Sequence, residues 1–232
     1  MASPSIVILT GAGISAESGL GTFRDEGGLW AQHRIEDVAT PEGFARNPQL
    51  VVDFYNARRA QAAEAVPNTA HAALARLEAA YDGDVLLVTQ NVDDLHEKAG
   101  SQHVLHMHGA LNSALCGACD HRWPAPLAMQ VGEACPTCDA PSARPDIVWF
   151  GEIPYQMDRI EQALSDADIF VAIGTSGNVY PAAGFVQLAS HVGAHTIEMN
   201  LDPGENVTLF AEARAGKASE TVPTWVEEVL RG

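Results

Sequence analysis

Four cysteines stand in two matched pairs along the chain. Fifteen residues separate the C-x-x-C pair that ends at Cys119 from the pair that begins at Cys135. Two such pairs at this spacing are typical of a tetrahedral zinc site. Four thiolates fill the coordination sphere and leave no position for a reacting water. The pattern therefore predicts one structural zinc ion, held by Cys116, Cys119, Cys135 and Cys138. A redox dithiol would use one pair and has no need of the second.

The stretch DFYNARR, residues 53–59, places a tyrosine and an arginine three residues apart. On a helix, Tyr55 and Arg58 share one face. A hydroxyl beside a planar guanidinium suits a carboxylate, which the two groups can bind through charge-assisted hydrogen bonds. The alternative is that Arg58 pairs with a neighbouring acid while Tyr55 packs. The residue types alone leave both interpretations open.

A glycine turn follows the apolar run SIVILT near the start of the chain. Gly11, Gly13 and Ala16 fit the pattern G-x-G-x-x-G/A, which brings a pyrophosphate close to the backbone at the start of a helix. An ordinary dehydrogenase also needs a second strand that ends in an acid about 20 residues on. Residues 22–39 contain no apolar strand. The turn therefore predicts a phosphate site or a purely structural turn, and it disfavours an ordinary dehydrogenase.

Further polar residues follow the strands that the sequence predicts. In an open α/β sheet, ligands bind outside the carboxyl ends of the strands. We therefore expect one shared site for the residues at these ends, namely Gln90, Asn91 and Asp93 after DVLLVT, Gly174, Thr175 and Ser176 at the end of DIFVAIG, and Asn200 at the end of HTIEMN.

Two histidines in HVLHMHG are candidates for acid–base chemistry. If the stretch is extended throughout, alternation sends His106 and His108 to the same face, so spacing does not separate them. His108 precedes a glycine beside the cysteine-rich insert and is the better candidate.

The elements that must position these residues alternate between strand and helix. That alternation predicts the α/β class with a doubly wound parallel sheet, Rossmann-like, carrying a small zinc-binding insert and a helical segment. We expect one domain over 1–232. Its large lobe would comprise about 1–35, 84–110 and 145–232. Its small lobe would comprise a helical segment of about 36–80 and a zinc module of about 111–144.

Composition excludes several classes of protein. A formal net charge of −17 argues against binding nucleic acid, whose partners are basic. No run approaches the roughly 18 apolar residues of a membrane span, so no membrane partner is expected. The opening MASPSIVILT lacks the basic front of a signal peptide, and we expect a cytoplasmic protein with reduced thiols. Nothing sets the oligomeric state, and a monomer is the working expectation.

Taken together, the motifs resemble those of the sirtuins, which are NAD-dependent protein lysine deacylases. The resemblance runs from about residue 6 to 220 and is greatest for the compact bacterial members of the desuccinylase class, class III. The stretches that carry it are GAGISAESGLGTFRD, TQNVDDLHEKAG, HMHG, the two cysteine pairs, VWFGE, GTSGNVYPAAGF and NLDP.

The resemblance implies an acyl pocket and a peptide groove. Tyr55 and Arg58 match the Tyr-x-x-Arg of the desuccinylase class, which holds the distal carboxylate of a succinyl, malonyl or glutaryl group on lysine. Ala39 matches a small residue that leaves room for a longer acyl chain. An acylated-lysine protein or peptide would lie as an added strand against Val148, Phe150, Gly151, Glu152 and Val179.

The resemblance also implies a reaction in which NAD is consumed as a co-substrate. His108 would be the general base toward a ribose hydroxyl, with Asn91 and Asp93 ordering ribose, water and nicotinamide. The products would be lysine, nicotinamide and 2′-O-acyl-ADP-ribose. An ADP-ribosyltransferase on the same fold and a non-catalytic NAD sensor are the alternatives. The dinucleotide would be lined by Gly11, Ala12, Gly13, Ile14, Ser15, Thr22, Phe23, Arg24, Gln90, Asn91, Val92, Asp93, Gly174, Thr175, Ser176, Asn200, Leu201 and Ala218.

Overall fold

A central sheet of parallel strands organises the chain. The computed structural model describes residues 3–21, 29–204 and 206–232. In the described residues the sheet has the order β3-β2-β1-β7-β8-β9. Its strands are β1 (Ile6–Thr10), β2 (Val85–Thr89), β3 (Val104–His106), β7 (Ile169–Ile173), β8 (His195–Asn200) and β9 (Glu212–Ala215). From β1 the chain adds β2 and β3 toward one edge of the sheet. It then adds β7, β8 and β9 toward the other edge, which confirms the predicted doubly wound class.

Helices cover both faces of this sheet because its strand β1 is buried throughout. All five residues of β1 are buried, and alternation sends Ile6 and Ile8 to one core and Val7 and Leu9 to the other. The first core is closed by α5 (Thr69–Ala80) and α9 (Ala218–Arg231), and the second by α7 (Met157–Ser165) and α8 (Phe185–His191). The resulting packing holds the strand ends in register.

The remaining helices lie outside these two layers. They are α1 (Ala12–Ala16), α2 (Ile35–Val38), α3 (Pro41–Arg46), α4 (Pro48–Glu64) and α6 (Leu95–Lys98), with short 3-10 turns at Leu29–Gln32, Ala182–Gly184 and Val207–Leu209. The two helices α3 and α4 begin at residues typical of helix N-termini. Each starts with a proline, and the preceding Thr40 and Asn47 accept hydrogen bonds from the first turn.

A second, antiparallel sheet carries the cysteines. Its order is β5-β4-β6, from β4 (Gly109–Cys116), β5 (Arg122–Pro124) and β6 (Ala143–Ile147). The strand β6 begins at Ala143 and ends at Ile147, although apolar residues continue to position 150. Arginine and proline at 144 and 145 hide this start from an apolar pattern. No helix in the described part of the chain is long and apolar enough to cross a membrane.

Candidate active site

A cleft of about 830 Å³ opens along the carboxyl ends of the central strands. Its size is that of a site for a small molecule or cofactor. Its walls come from both ends of the chain and from the helices between the two sheets. Among the predicted site residues, those that line it are Gly11, Ala12, Gly13, Ser15, Ala39, Tyr55, Arg58, Gln90, Asn91, Val92, Asp93, His108, Val148, Phe150, Gly151, Glu152, Gly174, Thr175, Ser176, Val179, Asn200, Leu201 and Ala218.

Four other predicted residues have different positions. Ile14 does not line the cleft, because its side chain is buried in the core between the sheet and α5. Thr22, Phe23 and Arg24 lie outside the described residues.

The glycine turn after β1 interlocks with the turn after β7. The Gly11 N–H donates to Ile173 O over 2.9 Å, and the Gly13 N–H donates to Gly174 O over 2.8 Å. A Cβ on Gly13 would lie 2.7 Å from the Cα of Gly174, so a side chain cannot be placed there without moving backbone. Gly174 has a φ of +62°, the left-handed region. The two turns therefore form one floor at the switch point of the sheet, where dinucleotides bind in folds of this kind.

Asn91 and Asp93 are tied to that floor by side-chain hydrogen bonds. The Asn91 Nδ2 donates to Gly11 O and to Ser15 Oγ, each over 3.1 Å. The Ser15 hydroxyl donates to Asp93 Oδ2 over 3.2 Å. Burial raises the pKa of Asp93, while hydrogen bonds from Leu95 and Ser15 lower it. The arrangement places an amide and a carboxyl group at fixed positions beside this floor.

Three successive carbonyls of the loop after β2 each face a donor from the end of β3 or from the residues that follow it. His108 Nδ1 lies 3.2 Å from Gln90 O, His106 Nδ1 lies 3.1 Å from Asn91 O, and the Leu111 N–H donates to Val92 O over 2.7 Å. The main chain that carries Asn91 and Asp93 is therefore fixed by two histidines and by β4.

The structure distinguishes His106 from His108, which sequence spacing alone could not do. The strand β3 ends at His106, and the turn that follows sends the two rings to different surroundings. His106 Nε2 lies 2.7 Å from Glu97 Oε1, and His106 does not line the cleft. His108 does line it.

His108 has the chemistry of a general base. A carbonyl oxygen only accepts, so the Nδ1 of His108 carries the proton and its Nε2 keeps a lone pair. Burial lowers the pKa of His108, and the bond to Gln90 O only partly opposes this. The ring is therefore neutral near pH 7 and can accept a proton at Nε2.

Tyr55 lies at the end of the cleft between the two sheets, with its side chain fully buried. The indole Nε1 of Trp149, which can only donate, is 3.2 Å from its phenolic oxygen. Tyr55 therefore accepts this bond and keeps its own O–H to donate to a ligand. Burial raises the pKa of Tyr55 to about 12, so the group is a hydroxyl at neutral pH.

Arg58 lies one turn along α4 from Tyr55 and is half-buried. Its guanidinium lies 4.9 Å from the centroid of the Trp30 ring, in a cation–π contact. Among the described residues, no carboxylate or carbonyl accepts a hydrogen bond from this guanidinium. Burial lowers the pKa of Arg58, and electrostatic interactions with Tyr55 and Asp93 oppose this. In the described part of the chain, no acid forms with Arg58 the ion pair that the alternative interpretation requires.

The next residue on α4 shows what a structural arginine looks like in this protein. Arg59 is buried and donates to Leu111 O over 2.6 Å and to Asn56 Oδ1 over 2.8 Å. These bonds tie α4 to β4. Arg58 and Arg59 are adjacent in sequence, yet of the two guanidinium groups only that of Arg59 donates hydrogen bonds to other described residues.

The four cysteine Sγ atoms lie within 4.8 Å of one another. The distance from Cys116 Sγ to Cys138 Sγ is 3.7 Å, and that from Cys119 Sγ to Cys135 Sγ is 3.8 Å. Zinc–sulfur bonds of about 2.3 Å in a tetrahedron place sulfurs about 3.8 Å apart. The donor set and its spacing therefore fit zinc.

The two cysteine turns repeat the same backbone bonds, which supports one shared purpose. The N–H groups of Ala118 and Thr137 donate to Cys116 Sγ and Cys135 Sγ, each over 3.4 Å. In each turn, the aspartate that follows the second cysteine has a φ of +57°. Such N–H···S bonds stabilise a thiolate, the form that binds a metal.

Comparison with known proteins agrees with this geometry. The family model described as the Sir2 family matches residues 11–181. A Caulobacter vibrioides protein named NAD-dependent protein deacylase is 56% identical, over 97% of this chain and 96% of its own length. The chain belongs to the Sir2 family. A Leishmania major NAD-dependent protein deacylase is 57% identical, over 97% of this chain and 96% of the relative.

Solved Sir2 structures have the same fold. A Sir2 homologue in complex with NAD has a TM-score of 0.90 at 38% identity and covers 98% of this chain and 90% of its own. A Sir2 protein bound to a propionylated peptide has a TM-score of 0.82 at 28% identity and covers 97% of this chain and 92% of its own.

Several residues that line the cleft of this Sir2 protein were missed by sequence reasoning. Gln61 and Ala62 lie one turn beyond Arg58 on α4, so the same spacing argument that joined Tyr55 to Arg58 could have found them. Trp30 and Leu111 also line the cleft, but they reach it only through tertiary packing, and no local pattern identifies them.

Hydrogen bonds within the protein fix the segment that is predicted to form the peptide groove of this Sir2 protein. Glu152 accepts two bonds from the Arg144 guanidinium, over 2.7 Å and 2.9 Å, and a third from the Trp149 N–H over 2.8 Å. The Phe150 N–H donates to Ala39 O over 2.9 Å. The Glu152 carboxylate therefore fixes the shape of this segment through bonds within the protein.

Proposed function

We propose that this NAD-dependent protein deacylase acts on lysine side chains whose acyl group ends in a carboxylate, such as succinyl, malonyl or glutaryl, and also on acetyl-lysine. The observation that carries the proposal is the pair at the end of the cleft. Tyr55 has an O–H to donate, and Arg58 has a guanidinium that no described residue bonds. Both line the same cleft as His108.

The chemistry of the pair favours an anionic ligand over a neutral one. A half-buried cation whose pKa burial depresses gains most from a partner of opposite charge. The planar guanidinium offers two parallel N–H donors to a carboxylate, and the phenol offers a third hydrogen bond. The Trp30 ring packs against the guanidinium. An acetyl group has no distal charge and gains nothing from these donors.

Each remaining residue has a defined part in the reaction. When bound, NAD supplies a nicotinamide ribose whose C1′ is attacked by the acyl oxygen as nicotinamide leaves. His108 takes the proton of a ribose hydroxyl at Nε2, because its Nδ1 is committed to Gln90 O. Asn91 and Asp93, fixed by Ser15, orient the ribose, the nicotinamide amide and water. The Gly11–Gly13 turn lets the pyrophosphate approach the backbone.

The four cysteines contribute to stability and take no part in the reaction. They would hold one zinc ion with a closed coordination sphere, which stabilises the turns that join β4, β5 and β6. The cytoplasm is the proposed location, since reducing conditions keep the four thiols available to the metal.

The proposal is tested with one peptide sequence carrying acetyl-, succinyl-, malonyl- or glutaryl-lysine, each incubated with the protein and NAD. Loss of the acyl mass together with nicotinamide release supports deacylation, and a higher kcat/KM for the three acidic groups supports the specificity. Transfer of ADP-ribose to the peptide would instead support the ADP-ribosyltransferase alternative. Binding of NAD without any product would support the sensor.

A further inference from the structure

His106 is a conspicuous histidine that the proposed reaction does not use. Both of its ring nitrogens face acceptors. Its Nε2 is 2.7 Å from a carboxylate oxygen of Glu97, and its Nδ1 is 3.1 Å from the carbonyl oxygen of Asn91. Neither oxygen has a proton to give while Glu97 is ionised. A neutral imidazole has one N–H and can serve only one of them, whereas an imidazolium serves both. The geometry is that of a charged ring.

The charged and titratable groups around the ring are consistent with this assignment. Burial lowers the pKa of His106, but the hydrogen bond and charge of Glu97, the Asn91 carbonyl and the charge of Asp93 outweigh it and raise that pKa overall. The contacts with His106 in turn lower the pKa of Glu97, against burial. His96, on the same short helix as Glu97, is held neutral because burial lowers its pKa far below the ordinary value.

The position of the ring links its charge to the catalytic loop. His106 lies at the end of β3, and Glu97 lies on α6, so the ring joins two elements that flank the loop after β2. The loop carbonyl that it holds belongs to Asn91, whose side chain reaches Gly11 O and Ser15 Oγ. If the ring loses its proton, the remaining N–H stays with the Glu97 carboxylate, the stronger acceptor. The Asn91 carbonyl then loses its partner, and the peptide between Asn91 and Val92 can turn.

We propose that His106 is a positioning residue, and that its charged form holds Asn91 and Asp93 in the geometry that the reaction needs. This inference rests on the proposed roles of His108, Asn91 and Asp93. It predicts that the enzyme is active within a pH range whose two ends are set by the charge states of two histidines. His108 must be neutral, which sets an acid limit, and His106 must be charged, which sets an alkaline limit.

The test compares kcat/KM against pH for the wild type, Glu97→Gln, His106→Gln and the control His195→Gln. His195 forms a similar pair with Glu212, over 3.0 Å, at the far edge of the sheet. In Glu97→Gln the alkaline limb should move to lower pH while the acid limb stays in place, because the carboxylate that favours the charged ring is gone. In His106→Gln, activity near neutral pH should fall roughly three- to tenfold, the effect of one lost hydrogen bond, and the alkaline limb should disappear. The control should match the wild type.

A second measurement does not depend on turnover. Long-range proton–nitrogen NMR spectra should show both His106 nitrogens protonated near neutral pH. The chemical shifts of the backbone amides of Asn91 to Asp93 should change with pH at the same midpoint as the His106 ring. In Glu97→Gln that midpoint should move to lower pH. An uncharged His106 ring near neutral pH would overturn the proposal. Chemical shifts of the loop amides that do not change as His106 titrates would also overturn it. So would an alkaline limb that is the same in all the variants. If the wild type shows no turnover, the proposed function fails and the NMR result alone decides the role of His106.

Discussion

The indole nitrogen of Trp149 donates a hydrogen bond to the phenolic oxygen of Tyr55 over 3.2 Å. This bond is one step in a chain of contacts from the proposed peptide groove to the proposed acyl pocket. Glu152 bonds Arg144, and the Arg144 guanidinium lies 3.6 Å from the centroid of the Trp149 ring. The segment proposed to hold the peptide backbone thus also fixes the direction of the hydroxyl proposed to hold the acyl group.

Replacing Arg58 with methionine should separate anionic from neutral acyl groups. The methionine keeps much of the apolar stem and removes the cation, so kcat/KM for a succinyl-lysine peptide should fall by about 30- to 150-fold, the worth of a hydrogen bond between charged partners of about 2–3 kcal/mol. Acetyl-lysine should change by less than about threefold, because it has no charge to lose. Steady-state kinetics on matched peptides measures both.

The matched control for this substitution is Arg76→Met. Arg76 pairs with Glu227 on the surface between α5 and α9, with about half of each side chain exposed, so its loss should leave both activities unchanged. An equal loss on acetyl and succinyl substrates in Arg58→Met would reject the acyl-pocket assignment.

Most residues of this site could be predicted from local sequence patterns. The cysteine pairs, the glycine turn and the polar residues at strand ends could be predicted because each depends on spacing within a few residues or on the end of an apolar strand. The doubly wound sheet followed from the alternation of elements. These features are those in which local sequence and fold agree.

What could not be predicted depends on contacts between distant segments. The edge strand β9 has the polar sequence EARA, since it packs against only one neighbour in the sheet. Trp30 meets Arg58 across 28 positions of sequence, and His106 differs from His108 only because β3 ends between them. No periodicity records such contacts, which arise from the packing of α4 and of the loops around the cleft.

Replacing His108 with alanine should lower kcat by about 100- to 10,000-fold, the usual worth of a positioned general base. In the wild type, kcat/KM should fall as pH drops through the pKa of His108. Burial lowers that pKa below the ordinary 6.5, so the acid limb should lie below about pH 6.5. The pH dependence of single-turnover rates measures the limb. A variant that keeps substantial activity would remove His108 from the role of base.

Removing one cysteine should cost the zinc ion and the order of its module. In Cys135→Ser, the metal content should drop from about one zinc per chain to near zero, and the melting temperature should fall, because metal binding and folding are coupled in sites of this kind. Metal analysis and thermal unfolding measure the two effects. Ala134→Ser is the control, since it adds a serine beside the site and keeps all four ligands. A folded, zinc-containing Cys135→Ser protein would contradict the structural assignment.

The buried histidine His71 should make the fold sensitive to acid. Its Nδ1 lies 3.3 Å from the Asn68 N–H, which it accepts at the start of α5, and its Nε2 lies 3.4 Å from Ser15 Oγ. Burial lowers the pKa of His71 from 6.5 to about 4. Between these values the unfolded chain binds a proton that the folded chain does not. Stability is therefore complete above about pH 6.5, falls as pH falls, and has lost up to about 3 kcal/mol from this group near pH 4.

The change that tests this claim is His71→Gln, which removes the titration and keeps a donor and an acceptor. Its free energy of unfolding in urea should be lower than that of the wild type near pH 7, because the buried ring packs better. The difference in free energy of unfolding between the two proteins should narrow toward pH 4, because only the wild type is destabilised by protonation of His71 in the unfolded chain. The exposed His191→Gln variant provides the control and should run parallel to the wild type. Because all three proteins share the cysteine cluster, acid loss of zinc cancels in the comparison. A gap that stays constant across this pH range would mean that His71 titrates alike in the folded and unfolded chains.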